Sequence, residues 1–250
     1  RLKARNLHRL RTQTLRPSCA PGDQAMRDLA ERGYADLSAT IGITPEEAAR
    51  VVDYFYAAKA YDSQVPLNSS FVLRDVREIL AAGGALGDYF SFTPDVSAGC
   101  ETIRRVTRHP VFKSMARAYI GGDPQIYSIN TMLTVPSAAN HQVTGLHRDF
   151  DDYAQLTFFI YWTATGAKNG ATFFVPGSHR DPDPVDQSGL YLEGRAGSVF
   201  AVDTFGLHSG NANVQVPRLT TWFRFGHLPN FAYYSDKNYL FAAELAKLGA

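Results

Sequence analysis

The sequence predicts a mainly β fold with flanking helices, of the jelly-roll kind. Two observations carry this. The runs Ile126 to Val135, Gln155 to Thr163, Ala171 to Val175, Ser198 to Val202 and Leu219 to Phe225 are short and rich in Thr, Phe, Tyr, Trp, Val and Ile. They are punctuated by Gly, Pro and Asn, and many short strands joined by such turns suggest a jelly roll.

Helical patterning lies ahead of these runs and after them. Asp23 is placed to cap a short helix over residues 23 to 32, with Met26, Leu29 and Ala30 on one face and Gly33 at its end. Thr44-Pro45-Glu46-Glu47 is a helix start: Thr44 can accept from the Glu47 amide, and Glu47 can reach back. Ala48, Val51, Val52 and Phe55 then follow at helical spacing. Val72, Val76, Ile79 and Leu80 predict a second helix that stops at Gly83-Gly84. A third region, Ile103 to Tyr119, is interrupted by Pro110 and closed by Gly121-Gly122. A closing helix is expected over residues 236 to 247. These helices should buttress one face of the sheet.

At 250 residues and 45% hydrophobic content the chain fits one decorated domain. Residues 1–122 are expected to be mainly helical, 123–228 to form the jelly-roll core, and 229–250 to close on the last helix. A net charge of +1 gives no bulk reason to expect nucleic acid or a membrane surface. The basic residues Arg1, Lys3, Arg5, Arg9, Arg11 and Arg16 precede any acidic one and read as a solvated arm. Cys19 and Cys100 form no metal or redox motif, which favours a reducing, cytoplasmic setting. No run approaches the ~18 apolar residues of a membrane span.

The chemistry gathers at Gly145-Leu146-His147-Arg148-Asp149-Phe150, answered by Leu207-His208-Ser209-Gly210 and then by Arg218. On an extended strand His147 and Asp149 leave the same face. With a second imidazole from His208 they make a facial grip on one divalent metal, the set that non-haem Fe(II) oxygenases use. Asp151 and Asp152 diverge from Asp149 and are not expected to share the ion. Arg218 offers a planar, permanently charged fork for the far carboxylate of an α-keto acid. On the last strand Arg218, Thr220 and Trp222 share one face, and Leu219, Thr221 and Phe223 the other. An inward Arg needs an anion. Thr220 is then a candidate second contact for the oxoacid, and Trp222 a candidate wall for substrate or equally plain core. Tyr127 and Asn130 are candidates for the oxoacid's other end, with turn or ladder roles explaining Asn130 as well. His141 lies in the loop before the dyad and could face substrate. Asp203 is expected to shape the turn that leads to His208.

The pattern His147-x-Asp149, Asn169-Gly170, Val175-Pro176-Gly177-Ser178-His179, then Asp203, His208 and Arg218 resembles the phytanoyl-CoA dioxygenase family, closely over residues 125 to 226. The resemblance implies a cupin-like double-stranded β-helix in a single oxygenase domain. It implies Fe(II) with 2-oxoglutarate as co-substrate, and O2-dependent hydroxylation of an aliphatic C–H in a small-molecule metabolite. 2-Oxoglutarate would be decarboxylated to succinate and CO2, with no catalytic residue needed beyond the metal ligands. His179 belongs to the shared turn and reads as structural. Desaturation, cyclisation or epimerisation use the same residues and stay open. Halogenases of the family carry a small residue where Asp149 stands, so halogenation is rejected. A non-catalytic cupin-like metal- or ligand-binding protein is the reading from another class. Candidate lids over the site are Gly83 to Asp95, Pro136 to Gly145 and Asp181 to Gly189.

Overall fold

A computed structural model of the chain describes residues 2–14, 23–63, 72–137, 145–150, 154–210 and 214–227. The helices are α1 (Leu2–Thr14), α2 (Gln24–Arg32), α3 (Ser38–Ile41), α4 (Pro45–Tyr56), α5 (Val76–Ala82), α6 (Pro94–Gly99), α7 (Glu101–Thr107) and α8 (Pro110–Ile120). The early strands are β1 (Tyr34–Asp36), β2 (Lys59–Asp62), β3 (Arg74–Asp75) and β4 (Tyr89–Ser91). The later ones are β5 (Gln125–Thr134), β6 (Gln155–Tyr161), β7 (Thr172–Phe174), β8 (Leu190–Leu192), β9 (Ser198–Val202), β10 (His208–Ser209) and β11 (Arg218–Gly226).

Local chemistry sets the helix ends as expected. The Asp23 carboxylate accepts from the Met26 amide at 3.0 Å, and Gly33 turns the chain at φ 86°. Thr44 and Glu47 complete their reciprocal box, at 3.2 and 3.0 Å. Pro110 splits the third region into α7 and α8. The second helix begins later than its spacing suggests. Arg74 and Asp75 pair with Lys59 and Ala60 as strand, so α5 starts at Val76 and Val72 stays exposed.

The strands form two antiparallel sheets, an eight-stranded one in the order β1-β9-β6-β11-β5-β4-β2-β3 and a three-stranded one in the order β10-β7-β8. The residues before Gln125 are thus not only helical: β1 and β4 extend the large sheet on its two sides. Strands of two to four residues are too short to declare a period in sequence. Tyr89–Ser91 is buried within the sheet, so much of the lid expected over Gly83 to Asp95 is core. The residues between Asp181 and Gly189 form neither helix nor strand. The expected closing helix, His141 and Asp151–Asp152 lie outside the described residues.

Alternation along the strands divides the large sheet chemically. One face carries Ile129, Leu133, Phe158, Ile160, Leu219 and Phe223 into a core shared with the helices, where Phe112 of α8 meets Phe158 at 4.7 Å and Phe223 at 5.0 Å. Polar groups on that face are matched in a chain, Ser97 to Thr131 at 2.9 Å, Thr131 to Thr221 at 2.8 Å, and Trp162 donating to Thr221 at 2.8 Å. The other face meets the small sheet through Tyr34, Tyr161, Phe174, Leu192, Phe200 and Val202. The site lies between the sheets.

Phe112 is fully buried, so Phe112→Ala should cost about 3–5 kcal/mol of stability. Urea denaturation checks this. A cost under about 1 kcal/mol would mean that α8 does not hold the sheet.

Candidate metal centre

Backbone pairing brings the candidate ligands together. His147 and His208 exchange both backbone hydrogen bonds, His147 N–H to His208 O at 2.9 Å and His208 N–H to His147 O at 3.0 Å. The small sheet thereby gains the dyad segment beside β10. Two residues on, the Asp149 N–H donates to Thr204 O at 2.9 Å. One donor atom from each of His147, Asp149 and His208 then falls within 4.8 Å of the others. Asp149 Oδ1 is 3.8 Å from His147 Nε2, and Oδ2 is 3.6 Å from His208 Nε2.

Each imidazole is fixed by its own backbone. Nδ1 of His147 donates to Gly145 O at 2.8 Å and Nδ1 of His208 to Gly206 O at 2.9 Å, which leaves Nε2 of both as the lone-pair nitrogen. Burial pushes the His208 pKa down against the upward pull of Asp149, so its neutral, metal-binding form is favoured. For Asp149 burial pushes up, but Arg224, then His208, His147 and Thr204 outweigh it, and the carboxyl sits below the usual range. Two imidazoles and an ionised carboxylate are the donor set that a divalent iron takes. The residues present fit the ion.

Arg148, between the two ligands, points to the opposite side. Its buried guanidinium donates to Ser178 O at 2.8 Å and Asp181 O at 2.7 Å, and also to Phe205 O. It pins three loop carbonyls behind the dyad. The Val175-Pro176-Gly177-Ser178-His179 motif is the other brace. Ser178 Oγ accepts from the Leu207 amide at 2.7 Å, just before His208, and buried His179 contacts Ala30 O at 3.1 Å, a structural role as expected.

On β11, Arg218, Thr220, Trp222 and Arg224 share the face toward the site, opposite Thr134, Met132, Asn130 and Ser128 of β5. Arg218 is 4% exposed, its Nε has no hydrogen-bond partner, and no carboxylate among the described residues pairs with it. Oγ1 of Thr220 is likewise buried and unpartnered. The Asn169-Gly170 motif explains how Arg218 fits. Gly170 stands at φ 76°, and a Cβ there would come within 2.8 Å of Arg218 Cδ. Asn169 Oδ1 accepts from the amides of Gln215 and Val216, tying down the approach to β11.

Asn130, Phe159 and Trp222 stand on one rung and are only half buried, as is Met132 on the next, so the space before them is open. Tyr127 departs from its expected place. It falls at the β5–β11 register shift and its hydroxyl donates to Gln155 at 2.9 Å, away from that rung. It heads a buried chain instead: Gln155 to Thr204 at 3.2 Å, Thr204 to Thr157 at 3.2 Å, and Arg224 Nε donating to Thr157 at 3.0 Å. Arg224 ends the chain on the Asp149 carboxylate. Sequence reasoning missed Arg224 and Arg148. The alternation that placed Arg218, Thr220 and Trp222 inward, carried one step further, would have found Arg224.

A sequence model described as phytanoyl-CoA dioxygenase (PhyH) matches residues 47–214. No curated protein matches the chain. Among solved structures, the chain is similar to the non-heme alpha ketoglutarate dependent epimerase SnoN from nogalamycin biosynthesis, at 21% identity and TM-score 0.55, covering 81% of this chain and 79% of that one. HygX from Streptomyces hygroscopicus, with nickel and 2-oxoglutarate bound, aligns at 12% identity and TM-score 0.61, covering 84% and 89%. EctD from S. alaskensis, with bound Fe, aligns at 15% identity and TM-score 0.56, covering 88% and 83%. At these identities the likeness establishes a shared jelly-roll fold.

His208→Ala should lose most of the affinity for a divalent ion, since one of three converging donors disappears. Titration of the metal-free protein with Mn(II) reads this directly. Wild-type affinity in the variant would remove His208 from the ligand set.

Proposed function

The chain belongs to the phytanoyl-CoA dioxygenase family of Fe(II)- and 2-oxoglutarate-dependent oxygenases, and we propose that it hydroxylates an aliphatic C–H of a small-molecule metabolite, converting 2-oxoglutarate to succinate and CO2. In this reading His147, Asp149 and His208 hold the iron, while Arg218 and Thr220 hold the far carboxylate of the oxoacid. Asn130 stands on the neighbouring strand for its other polar groups, and Trp222 forms a wall for substrate. His141 stays a candidate substrate contact in the loop before the dyad. The whole chain, 1–250, acts as one oxygenase domain. A reducing, cytoplasmic setting is part of the reading and agrees with Cys100 being a buried free thiol. No helix among the described residues is long and apolar enough to cross a membrane.

The observation that carries the proposal is the unpaired guanidinium of Arg218. A buried cation without an anion is costly, and here the orphaned hydroxyl of Thr220 stands two residues away on the same face. A carboxylate would satisfy both. Arg218 Cζ lies 5.4 Å from the ring of Tyr161, which is opposite Thr220, and Arg224 Cζ lies 4.7 Å from the ring of Trp222. One cationic head thus lies against Tyr161 and the other against Trp222. Arg224 is engaged with the metal carboxylate, and Arg218 faces the gap. A dicarboxylate held at the metal by one end would satisfy Arg218 with the other.

When bound, iron with the oxoacid and O2 supplies the oxidising power for C–H cleavage. This chain's own residues contribute position. The half-buried rung of Asn130, Trp222 and Phe159 can seat a substrate beside the ligands, and the apolar Phe159 and Met132 keep water from that side. Asp149 occupies the carboxylate position, which argues against halogenation. The combination of three ligands with an unpaired Arg218 argues against a mere binding protein. Hydroxylation is separated from desaturation, cyclisation and epimerisation by product analysis of any metabolite that elicits succinate.

The direct test is oxoacid affinity by anaerobic calorimetry with metal present. Arg218→Ala should weaken 2-oxoglutarate by about thirty-fold or more, as expected for losing a buried charged partner worth roughly 2–5 kcal/mol, while metal binding survives. Arg218→Lys keeps the charge without the fork and should fall between. Equal affinity in all three proteins would overturn the role of Arg218.

A further inference from the structure

We propose that Asp203, charge-balanced by Arg11 of α1, is a positioning residue of the metal centre, which makes the N-terminal helix part of the site. The inference rests on the metal reading above and concerns residues that touch neither metal nor oxoacid. Asp203 is fully buried, on the turn between β9 and β10. Its Oδ2 takes the guanidinium of Arg11, itself 4% exposed, and the Tyr119 hydroxyl at 2.7 Å. Its Oδ1 accepts the Phe205 amide at 3.1 Å. Its own N–H donates to Gly33 O at 2.8 Å, and its carbonyl accepts from Gly206 at 2.9 Å. The expected solvated arm is thus corrected at Arg11, which reaches 192 residues along the chain to a buried partner.

The turn that Asp203 holds, residues 203 to 206, is the one that aims the ligands. Its three following carbonyls each serve the dyad or the distal His. Thr204 O accepts the Asp149 amide at 2.9 Å, Gly206 O accepts Nδ1 of His208 at 2.9 Å, and Phe205 O takes Arg148. Arg11 and Arg148 also stack against the Phe205 ring, at 4.5 and 5.2 Å. Tilting this turn would rotate the His208 imidazole and shift the Asp149 strand together. For stability alone a buried ion pair is a poor choice, because well-packed apolar residues do as well or better. What the pair offers beyond packing is an acceptor fixed on the Phe205 amide.

The experiment compares Mn(II) affinity of the metal-free protein with melting temperature for wild type, Asp203→Asn, Arg11→Met, Arg11→Lys and the double variant Arg11→Met with Asp203→Leu. The single charge-removing variants should bind Mn(II) several-fold to about 10-fold more weakly. This is at or below the ~10- to 100-fold loss for removing a group bonded directly to a metal ligand, because they act one step further out through the turn. Arg11→Lys should keep most of the affinity. The double variant should regain part of the melting temperature that Arg11→Met loses, since no unpaired carboxylate stays buried. It should not regain the Mn(II) affinity, because Asp203→Leu leaves the Phe205 amide no acceptor. This separates positioning from stability and holds even if a single variant fails to fold. Affinity that returns to wild type in the double variant, or never leaves it in the singles, overturns the inference alone. A wild type that takes up no Mn(II) overturns the metal reading and this inference with it.

Discussion

The site depends on one backbone pairing, the closed exchange of hydrogen bonds between His147 and His208. Three donors cannot converge unless two segments 61 residues apart lie in register, since a slip of one residue would send every side chain to the opposite face. Around that pair the described residues hold no long strand to enforce register: β10 is two residues long, and His147 joins it through a single pair of backbone bonds. The register is held from outside by side chains that grip backbone carbonyls and amides. Arg148 behind the dyad, Ser178 on the Leu207 amide, and the turn that begins at Asp203 each take a fixed position that a sheet ladder would otherwise supply.

The large sheet makes this possible by dividing its labour between faces. Its helix side is a close-packed aromatic and aliphatic core whose few hydroxyls are satisfied among themselves. Its site side carries the costly groups, two arginines with Gln155 and Thr157, and these last two bond to Thr204 on the turn after β9. Rigid strands hold a reacting geometry better than loops do.

The later strands, the capped helices and the cluster of His147, Asp149 and His208 were legible because each has a local signature. Period-two alternation gave the β11 faces, the Thr44–Glu47 box gave α4, and the i, i+2 dyad gave two of the three converging donors. Strands β1 to β4 were hidden because two to four residues hold no period, and the start of α5 because strand pairing claimed Arg74 and Asp75. The buried place of Arg11 within the basic arm was hidden for a different reason. Its charge is local, but the Asp203 partner of Arg11 is a long-range contact that no window of sequence contains. Tyr127 was placed by reach alone, and a nearer acceptor on Gln155 took its hydroxyl.

The two inward arginines of β11 show how the chain separates support from recognition with one residue type. Arg224 is satisfied by the protein itself, through Thr157, the Trp222 ring and the Asp149 carboxylate, so an incoming anion gains little there. Arg218, six residues earlier on the same face, has no carboxylate within the described residues, and its Nε has no acceptor. Gly170 leaves space against its side chain where any other residue would crowd Cδ. Burying a guanidinium unpaired is unfavourable in the protein alone, and the imbalance is removed only when a carboxylate arrives. The position of charge that the fold leaves uncompensated is therefore the position at which an anionic co-substrate gains most, and it lies at the start of β11 rather than beside the metal ligands.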